Sequence, residues 1–381
     1  LKTWTTAALG VLFLLLPGSV ALTQPRLQDS IVVSTTRSEA ATFRVRRLIS
    51  GLEHPWSVAF LGTDRYLITE RPGRLWHISP NGAEEVTGLP SIATIGQGGL
   101  LDLLVDPDFE ENRRIYFTYS GRDGLGAGTR LMRARLDGTV LTDQQELFRM
   151  DRGGSGGRHF GSRLVMGQDG HLYMSIGDRG SRERAQDPGD HAGKILRIST
   201  EGRTPADNPF VRRMDALPEI YTVGNRNVQG MAVHPETGEI WAHEHGPRGG
   251  DEVNIIRAGE NYGWPQASYG DEYSGRPSEP NTHAPLYEEP ILYWTPSIAP
   301  SGMAFFQGDA FPEWRGDLFV GALVGRHLRR VDLDGEQVVD QEVLLSRTIG
   351  RVRDVRVGPD GLLYLLTDAD NGGLYRLEPA P

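Results

Sequence analysis

The chain has 381 residues, 40 Lys and Arg against 50 Asp and Glu, a formal net charge of −10 and no cysteine. That length holds one large or two ordinary domains with a sizeable core, and the acidic balance argues against a nucleic-acid partner, whose phosphates call for a basic excess. Without cysteine, disulfides, thiolate metal sites, thiol nucleophiles and covalent haem attachment are excluded together, so stability has to come from packing.

Leu1-Lys2, the apolar run from Ala7 to Leu16, the Pro17-Gly18 break and the small residues Ser19-Val20-Ala21 read as a signal peptide over 1–21. The run is roughly ten residues, short of the about twenty that cross a bilayer, although an uncleaved leader would leave a membrane anchor. The expected location is therefore periplasmic or secreted, with no membrane span in the mature chain. Residues 22–42 are expected to form a flexible N-terminal segment and 43–379 a single domain.

From there on, short runs of alternating hydrophobicity are punctuated by Gly, Asp, Asn and Pro, which is the pattern of an all-β chain. A loose unit recurs: Asp64-Arg-Tyr-Leu-Ile-Thr69, Asn112-Arg-Arg-Ile-Tyr-Phe117, Asp169-Gly-His-Leu-Tyr-Met174, Thr237-Gly-Glu-Ile-Trp-Ala242, Arg315-Gly-Asp-Leu-Phe-Val320 and Asp360-Gly-Leu-Leu-Tyr-Leu365. Each is a turn feeding a strand, and about six copies spaced by roughly 45 to 80 residues predict a six-bladed β-propeller of four-stranded antiparallel sheets. A β-sandwich or an up-and-down barrel also has short strands and Gly-Asp turns, but does not require one repeated unit. The N- and C-terminal strands are expected to meet in one blade. The polar, proline-rich stretches Gly202–Leu217 and Gly270–Pro300 read as insertions over one face.

Arginine, cationic at all pH values and bidentate towards carboxylates, is informative where it clusters in an acidic chain. Arg226 and Asn227 close Val223-Gly-Asn-Arg-Asn227, Arg351 and Arg353 lie in Gly350-Arg-Val-Arg-Asp354, and His159 lies in Gly157-Arg-His-Phe-Gly-Ser-Arg-Leu164. Together with Trp241-Ala-His-Glu-His-Gly-Pro-Arg-Gly-Gly-Asp-Glu-Val-Asn254 and Gly259-Glu-Asn-Tyr-Gly-Trp-Pro265, these motifs give a chain that, from about Arg44 to Leu377, resembles the soluble quinoprotein sugar dehydrogenases. That glucose/sorbosone dehydrogenase family uses pyrroloquinoline quinone (PQQ), a flat ortho-quinone with three carboxylates.

The resemblance implies oxidation of an aldose to its lactone, with His159 as general base and Arg226 as both cofactor ligand and stabiliser of developing charge. Asn227, Arg351 and Arg353 would hold PQQ, with Tyr273 as the aromatic against its ring; Trp264, Tyr293 and Trp294 are further candidates for that wall, although most aromatics in a propeller are packing residues. Gln97, in Ile95-Gly-Gln-Gly-Gly-Leu-Leu-Asp102, and Gln229 would face the sugar. Val324 stands where the family commonly has a lysine, and Arg326 is expected to supply the missing cation. Arg158 precedes the histidine where glucose-specific members have aspartate, which favours the broader aldose branch. By the same resemblance the carbonyls of Gly246 and Pro247 would hold a calcium ion at the quinone, and Glu252 with the carbonyl of Tyr262 a structural one; hard oxygen donors suit calcium. A zinc site on His243 and His245 is the rival, two ligands short of the usual set. The partners expected are a small aldose and an unidentified electron acceptor, with the chain a monomer or homodimer. A calcium-dependent lactonase and a non-catalytic binding propeller remain as alternatives.

Overall fold

The computed structural model describes residues 24–124, 126–275 and 285–380; the expected signal peptide falls outside them. Six antiparallel sheets follow one another along the chain. The first five, each of four strands, begin on Pro55–Gly62, Leu100–Val105, Leu164–Met166, Val228–Val233 and Pro300–Phe305. In the sixth, Val352–Val357, Leu363–Thr367 and Gly372–Pro379 are completed by Thr42–Leu52, so the two ends of the chain do meet in one blade. The register of that closure runs from Phe43 opposite Pro379 to Leu52 opposite Gly372.

Each of the six recurring turn–strand units becomes the second strand of its blade, the strands beginning at Arg65, Arg114, Leu172, Ile240, Leu318 and Leu363. Four of these, Leu172–Ile176, Ile240–Glu244, Leu318–Ala322 and Leu363–Thr367, are buried along their whole length rather than alternately. The reason is geometric. A blade is covered on both faces by its neighbours, so its middle strands have no solvent side. Six apolar clusters accordingly occupy the six blade-to-blade interfaces; one packs Tyr116, Leu131 and Leu147 of the second blade on Leu172, Met174 and Leu196 of the third.

One expectation is corrected. Within the supposed flexible segment, Arg26–Arg37 is a strand that pairs with Thr42–Leu52 and adds a fifth strand to the last blade, with Val33 against that blade's apolar cluster. Its Ile-Val-Val-Ser-Thr-Thr centre is rich in the β-branched residues that suit an extended backbone. Gly202–Leu217 lies between the third and outer strands of the third blade, whereas Gly270–Pro300 contains the outer strand of the fourth blade, Leu292–Trp294, and includes residues 276–284, which lie outside the described residues.

The inner strands surround a channel closed by charge. Arg163 Nη1 lies 3.3 Å from Asp102 Oδ1 and 2.8 Å from Asp354 Oδ1, while Arg356 reaches the same two carboxylates at 2.7 and 2.9 Å. Ser57 Oγ donates to Asp102 at 2.7 Å, and the guanidinium of Arg163 stacks 4.2 Å from the Trp56 ring. Burial alone would raise the Asp354 carboxyl; the two arginines outweigh it and hold it below its ordinary range. These groups come from the first, second, third and sixth blades, so removing one cation leaves two buried carboxylates of different blades to share a single guanidinium. Arg163→Ala is expected to destabilise the fold by about 3–5 kcal/mol, read as a lower urea midpoint. Arg44→Ala, which removes one partner of Glu378 at the outer strand, should cost about 1 kcal/mol or less.

Candidate active site

At one end of the channel the loops that enter and leave the inner strands enclose a cavity of about 380 Å³. Trp56, Leu101 and Phe160 give it apolar walls, Gln97, Asn227, Gln229 and His245 give it hydrogen-bonding groups, and Arg71, Arg351 and Arg353 bring three guanidiniums against one lining carboxylate, Asp368. Burial lowers Arg353 to about 10, still cationic at neutral pH, while Arg353 and Arg351 outweigh the burial of Asp368 and hold it at about 2. Asp368 Oδ2 lies 3.0 Å from Arg351 Nη2 and 3.9 Å from Arg353 Nη2, and its other oxygen accepts from His54 Nδ1 at 2.7 Å. Arg353 also donates to Gln229 Oε1 at 3.2 Å.

His159 sits beside this cavity on the loop between the second and third blades, next to the lining residues Phe160 and Gly161. Its Nδ1 donates to Asp178 Oδ1 at 2.7 Å, and the other oxygen of Asp178 accepts from Trp264 Nε1 at 2.9 Å. A carboxylate can only accept, so Nδ1 carries the proton and Nε2 the lone pair. Burial lowers the affinity of this imidazole for a proton, the bond to Asp178 opposes it, and the charge of Arg226 lowers it further; the ring is neutral at pH 7. Two loops interlock to place it. Gln97 Oε1 accepts the His159 N–H at 2.7 Å, and Gly96, at φ 59°, passes so close to the Gly157 carbonyl that a Cβ there would stand 2.2 Å from its oxygen.

Arg226 and Asn227 lie between the third and fourth blades, and Glu244 accepts both their N–H groups as well as the side-chain amide of Asn225 at 3.2 Å. The Arg226 guanidinium donates to the His245 carbonyl at 2.9 Å and the Tyr273 hydroxyl at 3.3 Å and lies 5.1 Å from the Trp264 ring; its buried Nε has no acceptor. The loop is braced from behind. Gly224 N donates to Ala185 O, and the wholly buried Lys194 donates to the carbonyls of Arg184, Ala185 and Ala192.

A second, smaller chamber is lined by Arg226, Glu244, His245, Gly246, Glu252 and Tyr262, with Trp264 and Ser268. Glu244 and Glu252 stand opposite each other on paired strands. Burial pushes Glu244 up to about 7, and burial together with the charge of Glu244 holds Glu252 well above the carboxylate range. Two such groups suit a hard cation. Among the described residues no three His, Asp or Glu side chains converge, so a metal here would have to take backbone carbonyls as well. Pro247 is buried in the adjoining loop without lining the chamber. His245 Nε2 is engaged by the Pro300 carbonyl at 2.6 Å, which disfavours zinc shared with His243.

The fold thus brings Gln97, Asn227, Gln229, Arg351 and Arg353 to one cavity, His159 to its edge, and Arg226, Gly246, Glu252 and Tyr262 to the adjoining chamber. Tyr273 is largely exposed and touches the site through its hydroxyl. Of the pair at the missing lysine, Val324 lines the cavity, while Arg326 ends the same turn at φ 51°, exposed and outside the lining. Sequence reasoning missed Asp178, Glu244, Asp368, Arg71 and Trp56. For Asp178 the available signal was its place in Gly177-Asp-Arg-Gly180, directly after a strand of the recurring unit.

Residues 52–376 match the family described as Glucose / Sorbosone dehydrogenase. The chain belongs to the glucose/sorbosone dehydrogenase family. It is 42% identical to aldose sugar dehydrogenase YliI of Escherichia coli over 89% of this chain and 94% of that one, and 26% identical to quinoprotein glucose dehydrogenase B of Acinetobacter calcoaceticus over 87% of each. The structure of the PQQ-bound aldose sugar dehydrogenase from Streptomyces coelicolor superposes with a TM-score of 0.70 at 26% identity, covering 93% of this chain and 100% of that one. For this family member, the charge and hydrogen bond of Asp178 both raise the proton affinity of His159, so Asp178→Asn should lower the His159 pKa further below 6.5, measured by NMR titration of the ring.

Proposed function

We propose that the chain oxidises aldoses at the anomeric carbon to lactones, with PQQ in the cavity and calcium beside it. The observation that carries this is the convergence of Arg71, Arg351 and Arg353 on one cavity beside a buried His–Asp pair, in a protein whose overall charge is negative. A flat tricarboxylate fits such a cavity: three cations meet its charges, and Trp56 and Phe160 offer apolar surface. When bound, PQQ accepts two electrons from the sugar carbon, and a calcium ion makes it more electrophilic.

The protein's own groups do the rest. Arg351, Arg353 and Asn227 hold the carboxylates, and the unpartnered Nε of Arg226 supplies a further donor at the edge of the site. His159 Nε2 takes the proton of the anomeric hydroxyl, which has to leave as the C–H bond breaks, and Asp178 fixes the tautomer and steadies the imidazolium that forms. The Gln97 oxygen is engaged by the His159 backbone, which leaves its amide nitrogen to meet a sugar hydroxyl. The Gly246 and Pro247 carbonyls would hold the calcium near the cofactor, and Glu252 with the Tyr262 carbonyl a structural ion. The apolar run Ala7–Leu16 followed by Ser19-Val20-Ala21 is the sequence pattern that supports a periplasmic or secreted protein working on free sugars. A lactonase has no use for a polyanion clamp of this kind.

The test mixes apoprotein, calcium, PQQ, a panel of aldoses and a redox dye. Dye reduction that requires PQQ supports the dehydrogenase; lactone opening without PQQ would overturn it. His159→Ala should lower kcat by roughly 10²–10⁴-fold with PQQ uptake retained, and equal loss of both would remove His159 as base. Arg353→Met should weaken PQQ binding about 10- to 100-fold, followed by absorbance titration. Because the base acts unprotonated and its pKa is lowered, kcat/KM should hold at neutral pH and fall only on acidification below 6.5.

A further inference from the structure

Resting on the dehydrogenase reading, we infer that the turn Leu323–Arg326 together with Arg347 is the docking surface for an acidic one-electron carrier protein, which collects electrons at the mouth of the cavity. The turn is a fixed platform: the N–H groups of Val324 and Gly325 both donate to the Ile298 carbonyl at 3.1 Å, and Arg347 N donates to the Arg326 carbonyl at 2.7 Å. Val324 is 64% exposed and lines the cavity, so an apolar side chain stands where cavity and solvent meet.

Arg326 and Arg347, at φ 51° and 55°, flank it, both exposed and neither with a carboxylate partner among the described residues. Some exposed arginines elsewhere are met by acids, as Arg65 is by Glu110, Arg114 by Glu201, Arg213 by Asp215 and Arg257 by Glu288, while Arg158 and Arg248 are, like Arg326 and Arg347, exposed without a carboxylate partner among the described residues. The acids nearest this sector are already engaged, Asp368 by Arg351 and Asp370 by His54 Nε2 at 2.9 Å. An exposed apolar spot edged by unpaired arginines has the make-up of a small interface centre.

The charge pattern gives the partner's sign and its orientation. The body of the protein is net negative, while the mouth carries Arg326 and Arg347 on the side of the fifth and sixth blades; across the ring, the loops bordering the third blade carry both signs, Asp151 and Glu183 with Arg152 and Arg158. An acidic carrier is therefore drawn to this sector, where an apolar side chain lining the cavity sits between two unpaired cations, which raises its productive encounter rate at low salt. A basic carrier meets the reverse field. Each sugar oxidised releases two electrons, so two successive one-electron visits return the protein to its starting state.

The experiment uses holoenzyme with saturating glucose and follows reduction of an acidic blue copper protein, a basic c-type cytochrome and the neutral small quinone ubiquinone-0. The wild type should reduce the acidic protein faster than the basic one, with a rate that falls between 20 and 200 mM salt, a range over which surface charges become screened. R326E and R347E should each lower the second-order rate with the acidic carrier by about tenfold at low salt, and leave ubiquinone-0 reduction unchanged. Equal rates for wild type and both variants, or preference for the basic cytochrome, would overturn the docking surface. Failure of the wild type to reduce any acceptor would instead refute the dehydrogenase reading. Chemical cross-linking of the acidic carrier to wild type and variants, scored without turnover, then decides the surface on its own.

Discussion

The ion cluster in the channel, Arg163 and Arg356 against Asp102 and Asp354, is the constraint on which the rest of the molecule depends. A propeller has no central hydrophobic core; its apolar clusters lie between blades, and the inner strands converge on an axis that is otherwise open. Charges drawn from different blades close that axis. Each carboxylate is met by two guanidiniums and by backbone or hydroxyl donors, the arrangement that offsets most of the cost of burying charge, although Asp354 Oδ1 has an ion-pair contact and, among the described residues, no hydrogen bond.

The same cluster sets the floor of the site. Arg163 lies against Trp56 and donates to the Arg353 carbonyl, so a cavity wall and a cavity cation are tied to one buried guanidinium. Above it the arrangement is one of acids holding bases: Asp368 fixes two arginines, Asp178 the histidine, and Glu244 the backbone that carries Arg226. Asp178 and Asp368 are not disposed to move protons, since each is occupied by two or three donors and held below the usual carboxylate range. Their effect is to keep cations and imidazole aimed in the absence of any ligand, which lowers the entropy that binding has to overcome.

Legibility in the sequence followed the range of the interaction. The six turn–strand units were readable because turn chemistry and strand patterning are local, and all six became second strands. His159, Arg226, Arg351 and Arg353 were readable because their motifs are contiguous. Asp178, Asp368 and Glu244 were not, because each acts on a residue 17 or more positions away, across a blade or between blades. The position of Arg326 was not readable for a different reason. Its left-handed backbone turns the chain two residues after Val324, and nothing in Val-Gly-Arg signals that conformation in an arginine. The strand Arg26–Arg37 escaped because its polar, exposed composition reads as tether when the edge that recruits it, Thr42–Leu52, is not in view.

The closure of the last blade carries a temporal consequence. Arg351 and Arg353 belong to the sheet that is sealed only when Gly372–Pro379 pairs with Thr42–Leu52, which lies far earlier in the chain. While the polypeptide is still emerging, five blades have all their strands available but the ring cannot shut, and the cationic pocket lacks one wall. Ligand capture is thereby tied to the shutting of the ring, and a product clipped within either strand is left open along a seam that proteases can recognise.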